Sequence, residues 1–502
     1  MPTLTRRKAI NGASTLAGGC AITLGGLAII GPRISTWLTD TAVNSPEHNM
    51  PLQIPPLYEG NVQDGVRAFS LKLQVGETAI LDDKSTPTWG VNGSFLGPTI
   101  RMKRGDTVQI EVQNNLDEDT SIHWHGMHLP PEMDGGPHQM ISAGESWLPV
   151  WDVNQPACTL WYHPHPHGET ADHVWNGIAG MLIVDDDEDA SVPTEYGIDD
   201  VPLIIQDRGF EGDGTFMRTE FAFGYFGDHI LVNGTYGAQF DVTRKLTRFR
   251  ILNGSNTRWY YLTFSDGRAF RLIATDNGYV GENPPELKHI LISPGERAEI
   301  VVEFAAGDDV LLQNESISTG KLKDFGADID FDVIRFVAAD DLEASEELRL
   351  PPFESRRDEP AGENRRRYTL SGHSTINDKE MDMSRIDDVI TAGAVEIWEA
   401  RSTNFSSHNF HIHGVTFEVL DIDGKEPPVH QQGPKDTVQL MRDTTATLRV
   451  TFPEYTDEQY PYMYHCHILR HEDQGMMGQF LVVEPGREDA VPTELDTSHA
   501  HH

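Results

Sequence analysis

The chain has 502 residues, with 39 Lys+Arg against 78 Asp+Glu and a formal net charge of −39 that leaves 22 histidines uncounted. So acidic a balance argues against nucleic acid or an anionic membrane surface as the main partner, because phosphate binding needs clustered lysine and arginine. At 38% hydrophobic and 9% aromatic residues it is a globular chain long enough for about three domains, and its three cysteines are too few for a disulfide scaffold.

Residues 1–42 read as a signal or anchor segment. Arg6 and Arg7 precede an uncharged stretch from Ala9 to Ile30, and the pair resembles a twin-arginine signal, a route that exports folded proteins. The expected partner is therefore the twin-arginine export machinery, and the expected location is the periplasm, cell envelope or extracellular space. Leu16-Ala-Gly-Gly-Cys20 hints at a lipoprotein site, but apolar residues continue beyond it, and no clean Ala-x-Ala precedes Val43. No later stretch is apolar enough to cross a bilayer.

The rest of the chain repeats itself. Val91-Asn-Gly, Val232-Asn-Gly and Ile376-Asn-Asp each precede two short apolar segments, and the starts lie about 140 residues apart. A second echo joins a polar turn to an alternating strand at Gly144, Gly295 and Asp443, and each unit closes on another strand, at Met181–Val184, Val333–Val337 and Phe480–Val483. Short alternating runs punctuated by Gly and Pro, with little helical periodicity, predict an all-β chain of three tandem sandwiches. The expected bounds are 50–190, 195–342 and 368–487, with a charged, proline-rich linker over 343–367 and an acidic, histidine-bearing tail over 488–502.

Histidine clusters sit only in the first and third units: His123-Trp-His125, His163-Pro-His165-Pro-His167, His408-Asn-Phe-His411-Ile-His413 and His465-Cys466-His467 followed by His471. Each contains His-x-His, which on a strand aims two imidazoles at one place. A joint metal site is therefore expected where the outer units meet. If His465 and His467 face one way, Cys466 faces the other and can serve a second site. Two imidazoles, here His408 and His471, with a thiolate and a long methionine contact make a blue-copper electron-transfer centre. Met476 and Met477 both lie in the loop beyond the cysteine and compete for that contact. Eight paired histidines are left over, too many for one ion. Zinc cannot change oxidation state, so a wired thiolate site favours copper. Several coppers fed by one imply dioxygen as the acceptor.

These motifs, in this order, resemble the multicopper oxidases, specifically the three-domain bacterial group with the copper-efflux oxidase, bilirubin oxidase and spore-coat laccase, over about residues 50–485. The resemblance implies three cupredoxin-like Greek-key domains and four coppers per chain. Type 1 copper would take His408, Cys466, His471 and, by family spacing, Met476. Type 2 would take His123 and His411. The type 3 pair would take His125, His163 and His467 on one ion, and His165, His413 and His465 on the other. Asp134 and Glu472 match acids that deliver protons to bound oxygen, which makes them the expected catalytic residues. His167 is an extra, and Cys158 is expected to be a free buried thiol.

The departures concern the reductant. No methionine-rich insert appears, the approach to His408 reads Ser402-Thr-Asn-Phe-Ser-Ser407, and Met381-Asp382-Met383 reads as an ordinary strand or turn. Phenols and aromatic amines are therefore the expected substrates, with a metallo-oxidase for Cu(I), Fe(II) or Mn(II) as the alternative. Copper-free cell-division relatives of the family have lost ligands, and this chain retains the full set.

Overall fold

The computed structural model describes residues 43–495, apart from 82–83, 188–189, 222–223, 318–321, 323–324, 363 and 404–405. The export segment with Arg6, Arg7 and Cys20, and the tail histidines His499, His501 and His502, lie outside the described residues. Among the described residues no helix is long and apolar enough to cross a membrane.

The fold is all-β, and its main sheets fall into three successive pairs. In the first pair, one sheet is built on Val66–Thr78 and Thr107–Asn114 and the other on Thr99–Lys103, Gly180–Asp185, Cys158–His163 and His123–His125. The alternation read from the sequence is what closes them. Along Thr107–Asn114 every second residue is buried, and Val108, Ile110 and Val112 meet Ile100, Leu160 and Leu182 from the opposite sheet. The middle pair packs Leu203, Phe249 and Ile300 against Phe240, Leu262 and Phe336. The third packs Trp398, Leu448 and Val450 against Phe410, Val438 and Phe480.

The repeated asparagine has a physical role in each unit. Asn92, Asn233 and Asn377 adopt φ of +55°, +50° and +54°, a left-handed turn that Asn tolerates. The side chain of each then pins a neighbouring strand, accepting from the N–H of Lys72, Ile204 or Thr369 and donating to the carbonyl of Ser70, Pro202 or Arg367.

Three details depart from the sequence reading. Met50–Pro51, expected to open the first sandwich, pairs with Ala238 and Gln239 in a sheet of the middle one. The stretch expected as a linker is strand at both ends, within Phe331–Glu343 and Arg365–Ser371. Two short helices, Thr170–Asn176 and Leu469–Asp473, interrupt the β pattern. The Asp473 carboxylate accepts the N–H groups of Thr170 and Ala171 at 2.9 and 3.0 Å, so one helix caps the other across the junction of the outer sandwiches.

Candidate metal centre

The strand His408–Ile412 divides the chemistry. His408 and His411 are three residues apart and so leave opposite faces of the strand, one toward Cys466 and the other toward the first sandwich. The sequence argument from strand alternation applies in full only to His123 and His125, which share the strand His123–His125. His163 and His465 end their strands, and His165, His413 and His467 lie beyond strand ends. Pro164 and Pro166 have no N–H to extend a ladder, and the turns after each strand bring these rings inward.

Eight imidazoles, each no more than 1% exposed, converge between the outer sandwiches. His123 stacks on His413 at 3.8 Å and His125 on His411 at 3.7 Å between ring centroids, which matches the two histidine pairs ring for ring. Nε2 of His465 lies 3.2 Å from Nε2 of His165 and 3.1 Å from that of His413. Nε2 of His467 lies 3.2 Å from Nδ1 of His125. Two nitrogens bonded to one ion at about 2 Å each stand about 3 Å apart, so these are the spacings of shared ligands. His165, His413 and His465 form one group of donors within 4.8 Å of one another. His125, His163 and His467, the other predicted trio, have ring centroids 4.8–5.7 Å apart. Nε2 of His123, His163 and His411 meets no hydrogen-bond partner among the described residues. Stranding a buried polar atom costs about 1–3 kcal/mol, a penalty that a bound metal ion removes. The donor set therefore fits a metal cluster.

Behind the cage lies a second nest. Cys466 Sγ is 3.6 Å from Nδ1 of both His408 and His471, and all three residues are fully buried. Met476 is buried in the same apolar cluster, which does not include Met477. Its backbone accepts from the Cys466 N–H and donates to the His471 carbonyl. Met477 instead opens the strand Met477–Val483, paired with His465. Burial pushes the Cys466 thiol up to about 12 and holds His408 down to about 3. The imidazole is thus ready as a neutral donor, and the thiolate forms once a cation sits beside it.

The two predicted carboxylates both face the cage. Asp134 Oδ2 accepts Nδ1–H of His413 at 2.7 Å, and the Asp134 main-chain carbonyl accepts that of His123 at 2.8 Å. Glu472, on the short helix, sits 3.3 Å from His165 Nδ1 and 3.1 Å from His465 Nδ1. Burial opposes its charge, but His165 and His465 hold its carboxyl well below the usual range.

Other predicted residues lie apart from the cage. His167 is exposed, and Cys158 is a free buried thiol near Gln155. Asp382 accepts the N–H and hydroxyl of Ser384, the ordinary turn expected of that segment. Sequence reasoning missed Asn409 and Asp436. Asn409 accepts the His467 N–H at 2.8 Å and donates to Ser293 and Pro294 of the middle sandwich. Asp436 Oδ1 lies 3.1 Å from His125 Nε2. The Lys435-Asp436 charge pair at the mouth of a buried strand was the one available signal.

Tandem β-sandwiches with a sulfur-bearing nest set against a histidine cage offer the donor set of a metal-binding protein. Family models described as multicopper oxidase match residues 72–189 and 350–486, and the chain belongs to the multicopper oxidase family. It is 36% identical over 446 residues to a multicopper oxidase of Staphylococcus epidermidis, covering 88% of this chain and 94% of that one. It is 35% identical over 455 residues to the cell division protein FtsP of Salmonella typhimurium, covering 88% and 94%. The solved structure of a laccase-like multicopper oxidase, CueO, from the lignin-degrading Ochrobactrum sp. superposes with a TM-score of 0.79 at 35% identity, over 86% of this chain and all of that one. Family membership implies copper, dioxygen and a reducing substrate for an oxidoreductase.

Proposed function

We propose that the chain is an exported, laccase-like oxidase. It takes single electrons from phenols or aromatic amines beside the His408–Cys466–His471 nest and passes them to dioxygen at the histidine cage. In this reading His408, Cys466 and His471, with Met476 beside them, would hold type 1 copper, and His123 and His411 would hold type 2. The trios His125–His163–His467 and His165–His413–His465 would hold the type 3 pair. Copper bound there would supply one-electron redox steps, so that four electrons and four protons turn one O₂ into two waters.

The observation that carries the reading is the His465-Cys466-His467 sequence, which places the sulfur of one nest next in the chain to two donors of the other. Asn409 braces that link, with Oδ1 2.8 Å from the His467 amide and 3.7 Å from Cys466 Sγ. Beside the cage, Asp134 accepts the His413 Nδ1–H and Glu472 lies 3.3 and 3.1 Å from Nδ1 of His165 and His465, so two carboxylates lie close enough to supply the protons that oxygen reduction consumes. The sandwich bounds given above and export by the twin-arginine route belong to the same proposal.

Oxygen uptake by the purified protein with a phenol, compared with Cu(I), tests the substrate class. Faster uptake with the phenol is expected; faster uptake with Cu(I) would make it a metallo-oxidase. No uptake with either would favour a non-enzymatic role, as the similarity to proteins named for cell division allows.

A further inference from the structure

Within the cage, His125 is reversed. His123, His163, His411 and His465 direct Nδ1 to the main-chain carbonyls of Asp134, Pro164, Asp436 and Cys466, and His413 directs it to the Asp134 carboxylate, which leaves Nε2 facing the cage. His125 does the opposite. Its Nε2 meets Asp436 Oδ1 at 3.1 Å, and its Nδ1 meets His467 Nε2 at 3.2 Å. A carboxylate only accepts, so the proton sits on Nε2 and the lone pair on Nδ1.

Asp436 is itself held. Both its oxygens accept from the Arg297 guanidinium, at 2.8 and 2.6 Å, the fork-to-fork pairing that fixes the plane of a carboxylate. Arg297 begins a strand of the middle sandwich, Arg297–Glu303, and its Nε also donates to Thr159 of the first sandwich at 2.9 Å. Lys435 bridges Asp276 and Glu296 at 2.9 and 3.0 Å, and the five charged residues are each no more than 2% exposed. The packing admits nothing larger at Gly126. There φ is +86°, and a Cβ would stand 2.5 Å from Asp436 Oδ2 and 2.7 Å from Arg297 Nη2.

We propose that Arg297, from the sandwich that gives no histidine to the cage, is a positioning residue for the metal cluster. By locking Asp436 it fixes the tautomer in which His125 presents Nδ1. The middle sandwich is then a working part of the centre as well as a spacer. The inference rests on the copper reading above.

Two variants test it. Arg297→Lys keeps the charge and loses the fork. The double variant Arg297→Met/Asp436→Leu removes both charges together, so that neither is left buried alone. Each is loaded with copper and measured for copper per chain under chelator challenge, for the blue band of the Cys466 nest, and for melting of the copper-free form. Supporting partners of metal-binding histidines contribute about 10–100-fold in affinity. Both variants should therefore lose cage copper to chelator about 10–100-fold more readily while keeping the blue band. Melting of the copper-free double variant close to wild type would separate positioning from support of the fold, and the Arg297→Lys result decides the matter should the double variant fail to fold. Cage copper held as tightly as in wild type would overturn the proposal. A wild-type chain that takes up no copper would instead overturn the copper reading on which it rests.

Discussion

Replacing Asp134 by Asn should slow oxygen reduction while leaving the sulfur nest untouched. Asp134 Oδ2 accepts the His413 Nδ1–H at 2.7 Å and stands 3.5 Å from His123 Nδ1. An asparagine oxygen can still accept that N–H, so His413 keeps its tautomer and only the negative charge is lost. Hydrogen bonds to charged groups contribute about 1.5–3 kcal/mol against about 0.5–1.5 for neutral ones, so the contact weakens by about 1 kcal/mol. The weakened contact alone would slow turnover about 5-fold. Loss of the negative charge placed for proton delivery brings the effect into the range of about 10–100-fold typical when a supporting partner of a metal-binding histidine is mutated. The contacts of Asp134 are to cage histidines, and the partners of Cys466 Sγ are His408, His471 and Asn409. Oxygen uptake at saturating phenol should therefore fall about 10–100-fold, with absorbance near about 600 nm unchanged. Normal turnover would return Asp134 to a turn-forming role, and a bleached band would show that the two nests are not separable as argued.

Cys466→Ser should abolish both the blue band and phenol oxidation, and survival of either would remove the sulfur nest from the pathway. Asn409→Ala strands the His467 amide and the Pro294 carbonyl, while the Ser293 hydroxyl keeps its bond to Glu296. At about 1–3 kcal/mol for each stranded group, its melting temperature should drop clearly, and an unchanged melt would contradict the bracing role. Burial holds His165 and His408 down to about 3 and His411 down to about 4, from an ordinary 6.5. Below pH 6.5 the unfolded chain therefore binds more protons than the folded one. Copper-free protein should lose stability as pH falls from 6.5 toward 4, and a flat melting profile over that interval would refute the claim that these rings are held neutral.

The parts of the molecule that were legible in the sequence are those with a short local signature. Alternation along Thr107–Asn114 gave the sandwich faces, and the recurring asparagine gave the repeat, because a left-handed turn with a side-chain bridge needs that residue type. The histidines were legible because imidazoles in such number have no bland use in a core. Strand geometry was a partial guide to them, since His165, His413 and His467 reach the cage from turns. The helix Leu469–Asp473 left no trace because a single turn carries no 3.6-residue period. Asp436 and Arg297, 139 residues apart, could not be linked before the fold brought them to 2.6 Å. Met50–Pro51 joined the middle sandwich through a parallel pairing with a strand almost 190 residues away, which no local pattern encodes.

The central claim is that one sulfur-held copper feeds a cluster caged by the outer sandwiches. The direct measurement is copper per chain, taken with the visible spectrum of the purified, copper-reconstituted protein. The account predicts about four coppers per chain and a strong blue band near about 600 nm. A colourless protein holding well under that number after reconstitution would contradict it.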